Sequence, residues 1–158
     1  LDEFRESPSW SIPNIDIKER LRLAIEHLFE KMDESFCKIS IGKITSSGAC
    51  GVIGAYCEGH ICIGNVGDCL SLLCLPQSKK SKRVDRVIEM SKAHRSTDPE
   101  EIKRIVDAGG VIHNNRAFGV LEPSRTIGDL EVKLLCKGGL ISKPYIQMFS
   151  LPMPSIYY

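Results

Sequence analysis

Several features that mark particular classes of protein are missing from this 158-residue chain. No apolar run approaches the roughly 18 residues that span a bilayer. A formal net charge of +1 predicts no general attraction to nucleic acid or to an anionic membrane. The stretch Leu1 to Arg5 carries acids without an apolar segment, which is not the pattern of a signal peptide. Because the chain also lacks an initiator Met, we expect it to be a piece of a longer protein.

Motifs for several phosphate and metal chemistries are missing as well. A thiol phosphatase needs an Arg six residues after its catalytic Cys, and none of the seven Cys residues has one. No Cys-x-x-Cys pair predicts a zinc site, and no Gly-x-x-x-x-Gly-Lys-Ser/Thr segment predicts a P-loop. The four His residues are isolated, and we interpret them as surface or packing residues. The Cys residues are scattered, several of them in apolar runs, which favours reduced core thiols and a cytoplasmic or nuclear location.

What is present divides the chain into three parts. We predict an irregular lead-in for residues 1–15, one domain for residues 16–151 and a tail for residues 152–158. An amphipathic helix is predicted from Asp16 to Phe36, because its apolar residues recur at steps of three and four. These residues are Leu21, Ile25, Leu28, Met32 and Phe36. We interpret the helix as packing on a sheet, with a partner-binding helix as the alternative.

Short apolar runs then predict an antiparallel meander buried on both faces. The expected strands are Ala49 to Tyr56, His60 to Val66, Cys69 to Leu75 and Val84 to Met90. Glu58-Gly59 separates the first two runs, as in a tight hairpin. The loop from Pro76 to Arg83 is basic, with Lys79, Lys80 and Lys82. We interpret it as solvated, with a nucleic-acid or phosphosubstrate patch as the alternative.

A second helix has clear start and stop signals. Asp98 predicts the N-cap, Pro99 suits the first helical position, and Glu101 completes a capping box. Gly109 or Gly110 is expected to take the left-handed conformation that ends the helix. Further short strands are expected around Val111, from Arg116 to Phe118 and from Leu130 to Leu134.

Two Gly-Asp pairs, Gly67-Asp68 and Gly128-Asp129, follow apolar runs. Carboxylate oxygens are ligands that suit Mg²⁺ or Mn²⁺. An Asp in a turn also commonly bonds its own backbone. The local pattern therefore leaves a metal ligand and a simple turn both open.

The order of these blocks resembles the middle of a PP2C-type, metal-dependent protein serine/threonine phosphatase, from Asp16 to Leu151. The most specific blocks are Ser47-Gly48-Ala49-Cys50, Gly64-Asn65-Val66-Gly67-Asp68, Ala93-His94, Asp98-Pro99-Glu100-Glu101, Arg104-Ile105, Ala108-Gly109-Gly110-Val111 and Phe118-Gly119-Val120-Leu121-Glu122-Pro123-Ser124-Arg125-Thr126-Ile127-Gly128-Asp129. The resemblance implies an α+β fold, part of an antiparallel β-sandwich flanked by helices. It also implies a binuclear Mg²⁺ or Mn²⁺ centre and a phosphoprotein substrate.

By this resemblance, Asp68 matches the Asp of the family's Gly-Asp-Ser-Arg motif, which is associated with an additional, weaker metal site. Cys69 and Leu70 stand where that motif has Ser and Arg. The block that ends at Asp129 resembles the family's Ser-Arg-x-x-Gly-Asp. The scaffold residues implied in this way are Gly67, Ser124, Arg125, Gly128 and Asp129.

The family's principal metal motifs contain Asp-Gly and Asp-Asn pairs, and this sequence has neither. We therefore expect a complete parent that hydrolyses phosphoserine and phosphothreonine, and no Mn²⁺-dependent hydrolysis by this chain alone. Two alternatives stay open: a pseudophosphatase that acts as a protein-binding module, and a truncated product with exposed sheet edges and no stable fold.

Overall fold

The computed structural model of the chain describes residues 2–41, 47–77 and 83–151. The helices in these ranges are α1 (Asp2–Arg5), α2 (Ile17–Ser40), α3 (Pro99–Asp107) and α4 (Leu130–Leu135), and a 3-10 turn covers Pro8–Ser11. The strands are β1 (Gly48–Ala49), β2 (Gly51–Cys57), β3 (His60–Val66), β4 (Leu72–Pro76), β5 (Val84–Glu89), β6 (Ile112–His113), β7 (Arg116–Ala117), β8 (Ile127–Gly128) and β9 (Tyr145–Ser150). All pairs between these strands are antiparallel. Helices beside antiparallel sheets confirm the predicted α+β class.

The main core forms between α2 and β3. Leu21, Ile25 and Phe29 of the helix are fully buried against Cys62 and Val66 of the strand. The predicted stripe was correct for Leu21 and Ile25, and Phe36 also packs against this core. It missed Phe29, one further step of four along the same face. Met32 is 40% exposed because it lines an open groove beside β1 and the start of β2.

The central sheet has the strand order β2-β3-β9. Glu58 and Gly59 both have positive φ, so the predicted tight hairpin is confirmed. The predicted burial on both faces is wrong for β2, where Tyr56 is 67% exposed, and for β4 and β5, where Leu72 is 50% and Val87 55% exposed. The predicted meander also ends at β3, because β4 pairs with β5 in a separate sheet. Helix α2 packs against both β2 and β3. β9 was not predicted, because its partner β3 lies about 80 residues earlier in the chain.

The first 15 residues are more regular than predicted. They contain α1 and the 3-10 turn, and Trp10 packs against the main core. The Arg20 guanidinium donates to the Ser9 carbonyl at 2.8 Å and to the Trp10 carbonyl at 2.6 Å, which ties this segment to α2. The division of the chain at residues 15 and 151 stays a prediction. Residues 152–158, and Lys79, Lys80 and Lys82 of the basic loop, lie outside the described residues.

The second predicted helix is confirmed as α3, with one correction. The Asp98 carboxylate accepts a hydrogen bond from the Glu100 backbone N–H at 2.9 Å, as an N-cap does, and Gly109 has a φ of 87°. Glu101 does not complete a capping box, because its carboxylate is buried in an ion network. The expected strand from Leu130 to Leu134 is wrong, since this segment forms α4.

The sequence of α4 explains the error. Its Leu-Glu-Val-Lys-Leu-Leu run consists mainly of good helix formers, and a short apolar run does not distinguish helix from strand. All seven Cys residues are free thiols, of which Cys62 and Cys136 are buried. None of the helices in the described ranges is long and apolar enough to cross a membrane.

Candidate functional site

The Gly67-Asp68 turn follows β3 directly. Gly67 has a φ of 83°, and a Cβ atom placed on it would lie 2.2 Å from Cys50 Sγ. Glycine is therefore required here both by the left-handed backbone and by the close approach of a side chain. The turn leaves Asp68 exposed. Cys69 follows it, half-buried, and burial raises the pKa of the Cys69 thiol.

The Gly67 carbonyl is held by two buried side chains. It accepts hydrogen bonds from the Asn65 amide at 3.2 Å and from His94 Nδ1 at 3.1 Å, and from the His94 backbone N–H at 3.0 Å. A carbonyl only accepts, so we assign the imidazole proton to Nδ1. Burial lowers the pKa of His94 to about 4, with the Arg125 charge acting in the same direction. His94 is thus a neutral packing residue, as interpreted from the sequence.

Ser124 and Arg125 belong to a second buried cluster, centred on Glu101 of α3. The Glu101 carboxylate is 1% exposed, and it accepts hydrogen bonds from Ser124 Oγ at 2.7 Å and from Arg125 Nη2 at 2.6 Å. Arg104 Nη1 reaches the same carboxylate at 2.5 Å. Burial by itself raises the pKa of Glu101, but these three donors outweigh it and hold the pKa at about 2.

Sequence reasoning missed the central role of Glu101. A usable signal was its spacing of four from Ile105, which places the two side chains on one face of α3. Both are buried. A buried acid on the apolar face of a helix needs cations beside it, and the partly buried Arg104 and Arg125 supply them.

The Gly128-Asp129 turn is tied to α2. The Gly128 backbone N–H donates to the Asp33 carboxylate at 2.7 Å, and Lys133 Nζ reaches the same oxygen at 2.5 Å. Asp129 has a φ of 49°, and its backbone N–H donates to the Ser47 carbonyl at 2.9 Å. Burial raises the pKa of the Asp129 carboxyl, while nearby Thr126 and Lys133 oppose that shift. Asp33 was also missed by sequence reasoning, although it lies four residues after Phe29 on the buried face.

The segment from Ser47 to Cys50 lies between the two turns. β1 pairs Gly48 with Gly128, and a Cβ atom on Gly48 would lie 2.0 Å from Asp129 Oδ2. Cys50, at the other end, fills the space beside Gly67. Three blocks that are separate in sequence therefore meet in the fold. Burial raises the pKa of the Cys50 thiol, which keeps it protonated.

The donor set at these turns does not fit a pair of metal ions. Within residues 2–41, 47–77 and 83–151, no group of three or more His, Cys, Asp or Glu side chains is arranged to hold one. Asp68 is a single exposed carboxylate, whereas Mg²⁺ and Mn²⁺ sites draw on several oxygen ligands. Asp129 is buried, with its carboxylate against Gly48.

Comparisons with known proteins agree on one family. The family model described as Protein phosphatase 2C matches residues 5–152. Integrin-linked kinase-associated serine/threonine phosphatase 2C of Bos taurus is 30% identical over 139 residues, which cover 87% of this chain and 36% of that protein. Probable protein phosphatase 2C 43 of Arabidopsis thaliana is 34% identical over 153 residues, or 94% of this chain and 34% of that protein.

A solved structure gives the same result for the fold. The crystal structure of serine-threonine phosphatase 2C from Toxoplasma gondii matches with a TM-score of 0.74 at 18% identity, over 96% of this chain and 57% of that one. The chain spans about a third of the length of the curated relatives it matches. The family-model match over nearly the whole chain shows that this chain belongs to the protein phosphatase 2C family.

Proposed function

We propose that the whole protein is a PP2C-type phosphatase that hydrolyses phosphoserine and phosphothreonine with Mg²⁺ or Mn²⁺, and that this chain alone does not. The main support is that the family model matches residues 5–152, while the described residues include no group of three or more His, Cys, Asp or Glu side chains that could hold a metal ion. The chain would then supply scaffold rather than the principal ligands.

In this proposal, Asp68 is a ligand of an additional, weaker metal site. Its support is the exposed position of the carboxylate on a turn whose backbone is fixed by Asn65 and His94. The scaffold residues would be Gly67, Ser124, Arg125, Gly128 and Asp129. The support for their role is that their hydrogen bonds and close contacts join α2, α3 and the Ser47–Cys50 segment to the two turns.

The test is an assay of Mn²⁺-dependent hydrolysis of a phosphothreonine peptide by this chain. We expect no turnover above buffer. Turnover that disappears in Asp68→Ala, and persists in the exposed control Asp85→Ala, would contradict the proposal. Titration calorimetry with Mn²⁺ gives a second readout, because tight binding at two sites would reveal a complete ligand set.

A non-catalytic binding module is a second candidate, which the Asp68 turn itself favours. Cys69 and Leu70 replace the Ser and Arg of the family motif, and Leu70 is 64% exposed. A longer protein that contains this chain would decide between the two candidates. Phosphopeptide hydrolysis with Mn²⁺ identifies the enzyme, and phosphopeptide binding without turnover identifies the binding module.

A further inference from the structure

One edge of the central sheet is formed by β2 and is unpaired. In the strand order β2-β3-β9, β2 pairs with β3 on one side only. Apart from this pairing, no backbone hydrogen bond between described residues reaches residues 52–57. An unpaired edge offers free N–H and C=O groups to another strand, and proteins commonly protect such edges with charged residues, proline or bulges.

The strand β2 has none of these protections. Its sequence, Gly-Val-Ile-Gly-Ala-Tyr-Cys, contains no charged residue and no proline. Its register with β3 runs without a bulge from Gly51 to Cys57. By contrast, β5 in the separate two-stranded sheet carries Asp85, Arg86 and Glu89. The free edge of β2 is therefore suited to pairing with a further strand.

The hairpin between β2 and β3 fixes which backbone groups face this edge. Its two-residue turn pairs Cys57 with His60, and a turn of this length closes on a pair that exchanges both hydrogen bonds. Hydrogen-bonded and non-hydrogen-bonded pairs alternate along an antiparallel ladder. The residues whose N–H and C=O groups point away from β3 are therefore Val52, Gly54 and Tyr56.

The side chains of these residues lie on the face of the sheet opposite α2. Their neighbours Ile53 and Ala55 pack against the main core, and successive side chains of a strand point to opposite faces. Val52 is 42% exposed and Tyr56 is 67% exposed. The free backbone groups of β2 thus belong to residues that also expose apolar side chains.

The other edge of this sheet, formed by β9, is less favourable for adding a strand. Residues 145–149 of β9 are half-buried, and only Ser150 is exposed. Ile146 and Met148 already pack against the main core. A strand added at β9 would therefore cover less exposed apolar surface than a strand added at β2.

We propose that the 158-residue chain forms a symmetric dimer in which β2 pairs antiparallel with β2 of a second copy, about a twofold axis at Gly54. In this register Gly54 faces Gly54, and Val52 of each copy faces Tyr56 of the other. Each outward N–H of these three residues then donates to a carbonyl of the other copy. A β-branched residue opposite an aromatic residue is a favourable cross-strand pair, so the edge is complementary to itself.

The contact is a single pair of strands, which is smaller than a standard interface of about 1,600 Å². Affinity in strand addition comes mainly from backbone hydrogen bonds. We therefore expect a reversible dimer, which dissociates on dilution from about 1 mM to about 1 μM.

The test combines sedimentation velocity with hydrogen exchange on the unmodified 158-residue chain. Across this concentration range, sedimentation should show monomer converting to dimer. The amides of Val52, Gly54 and Tyr56 should be protected from exchange only at high concentration. The amides of Ile53 and Ala55, which bond to β3, should be protected at both ends of the range.

Three results of this test would overturn the proposal. The first is a chain that stays monomeric at about 1 mM. The second is a dimer in which the three outward amides exchange freely. The third is protection of these amides in the monomer, because another segment of the same chain would then cover the edge.

Paired substitutions test the register of the two strands. Val52→Lys with Tyr56→Lys places like charges opposite each other across the axis, and should weaken dimerisation by about tenfold or more. Val52→Lys with Tyr56→Glu places opposite charges there, and should restore dimerisation at low salt. Val87→Lys, at an exposed position of β5, is the matched control and should leave the dissociation constant unchanged.

Circular dichroism on each variant shows whether it keeps the fold of the unmodified chain. Equal weakening in the two double variants would overturn the proposed pairing. The inference rests on the backbone and the exposed side chains of β2, so it is independent of the proposed phosphatase activity.

Discussion

Gly67-Asp68 and Gly128-Asp129 are the same dipeptide in two different environments. Asp68 is exposed, and its turn is held through the Gly67 carbonyl by Asn65 and His94. Asp129 is buried, and its turn is fixed to α2 by Asp33 and Lys133. The first turn presents a carboxylate to solvent, whereas the second joins distant parts of the chain. A dipeptide motif therefore predicts a turn, but its surroundings decide whether the carboxylate faces solvent or is buried.

The comparison implies that stability depends on the cluster around Ser124–Asp129 far more than on Asp68. The largest effect is expected for Glu101→Ala, which removes the buried carboxylate that pairs with the partly buried Arg104 and Arg125. Loss of one partner from a buried ion network costs about 3–5 kcal/mol. Urea unfolding followed by circular dichroism measures this loss. Glu100→Ala is the matched control, since the Glu100 side chain is 79% exposed, and we expect it to cost less than about 0.5 kcal/mol.

Glu101 also gives this cluster a defined pH dependence. Its folded pKa of about 2 lies below the ordinary value near 4.5, so its contribution is fully present above pH 4.5. This contribution of about 3 kcal/mol to the free energy of unfolding is lost as the pH falls through the folded pKa. In Glu101→Gln, the free energy of unfolding should therefore fall less steeply as the pH decreases from 4.5. An unchanged slope in that variant would show that other carboxyl groups control acid unfolding.

Gly128→Ala is expected to have the next largest effect, about 3 kcal/mol. Gly128 has a φ of 81°, and a Cβ atom would lie 2.6 Å from the Phe36 ring and 2.8 Å from the Ser47 carbonyl oxygen. Gly109→Ala separates backbone strain from the clash, because Gly109 has a φ of 87° but open space around it. We expect about 1 kcal/mol for that control. Equal losses in thermal melts of the two variants would mean that the Gly128 turn is not packed as described.

The smallest effects compare the two Asp residues directly. Asp129→Ala should lower the free energy of unfolding by about 1–2 kcal/mol, because Ala is less tolerant of the left-handed backbone at this position. Asp129→Asn should hardly change the free energy of unfolding at pH 7, because Asn tolerates that backbone conformation and its burial does not require a buried charge. Asp68→Ala should change stability by less than about 0.5 kcal/mol. A larger loss for Asp68→Ala than for Asp129→Ala in urea unfolding would reverse the comparison.

Sequence patterns predicted the elements whose signals are local. The α2 periodicity, the Glu58-Gly59 hairpin and the Asp98 cap of α3 each depend on neighbouring residues, and the structure confirms them. Predictions were wrong or missing where contacts with distant segments determine the local structure. β9 pairs with β3, and α4 follows a left-handed Asp129 that a simple apolar run does not reveal.

By itself, the sequence determined the family, the α+β class and the position of both Gly-Asp turns, because motif order, periodicity and turn residues are properties of short segments. Only the tertiary structure decided which Asp is buried and that Glu101 is the centre of an ion network. Burial and charge pairing depend on which distant segments pack together. The spacing of Glu101 from Ile105 indicates one face of α3, but it does not identify Arg125 as a partner of Glu101.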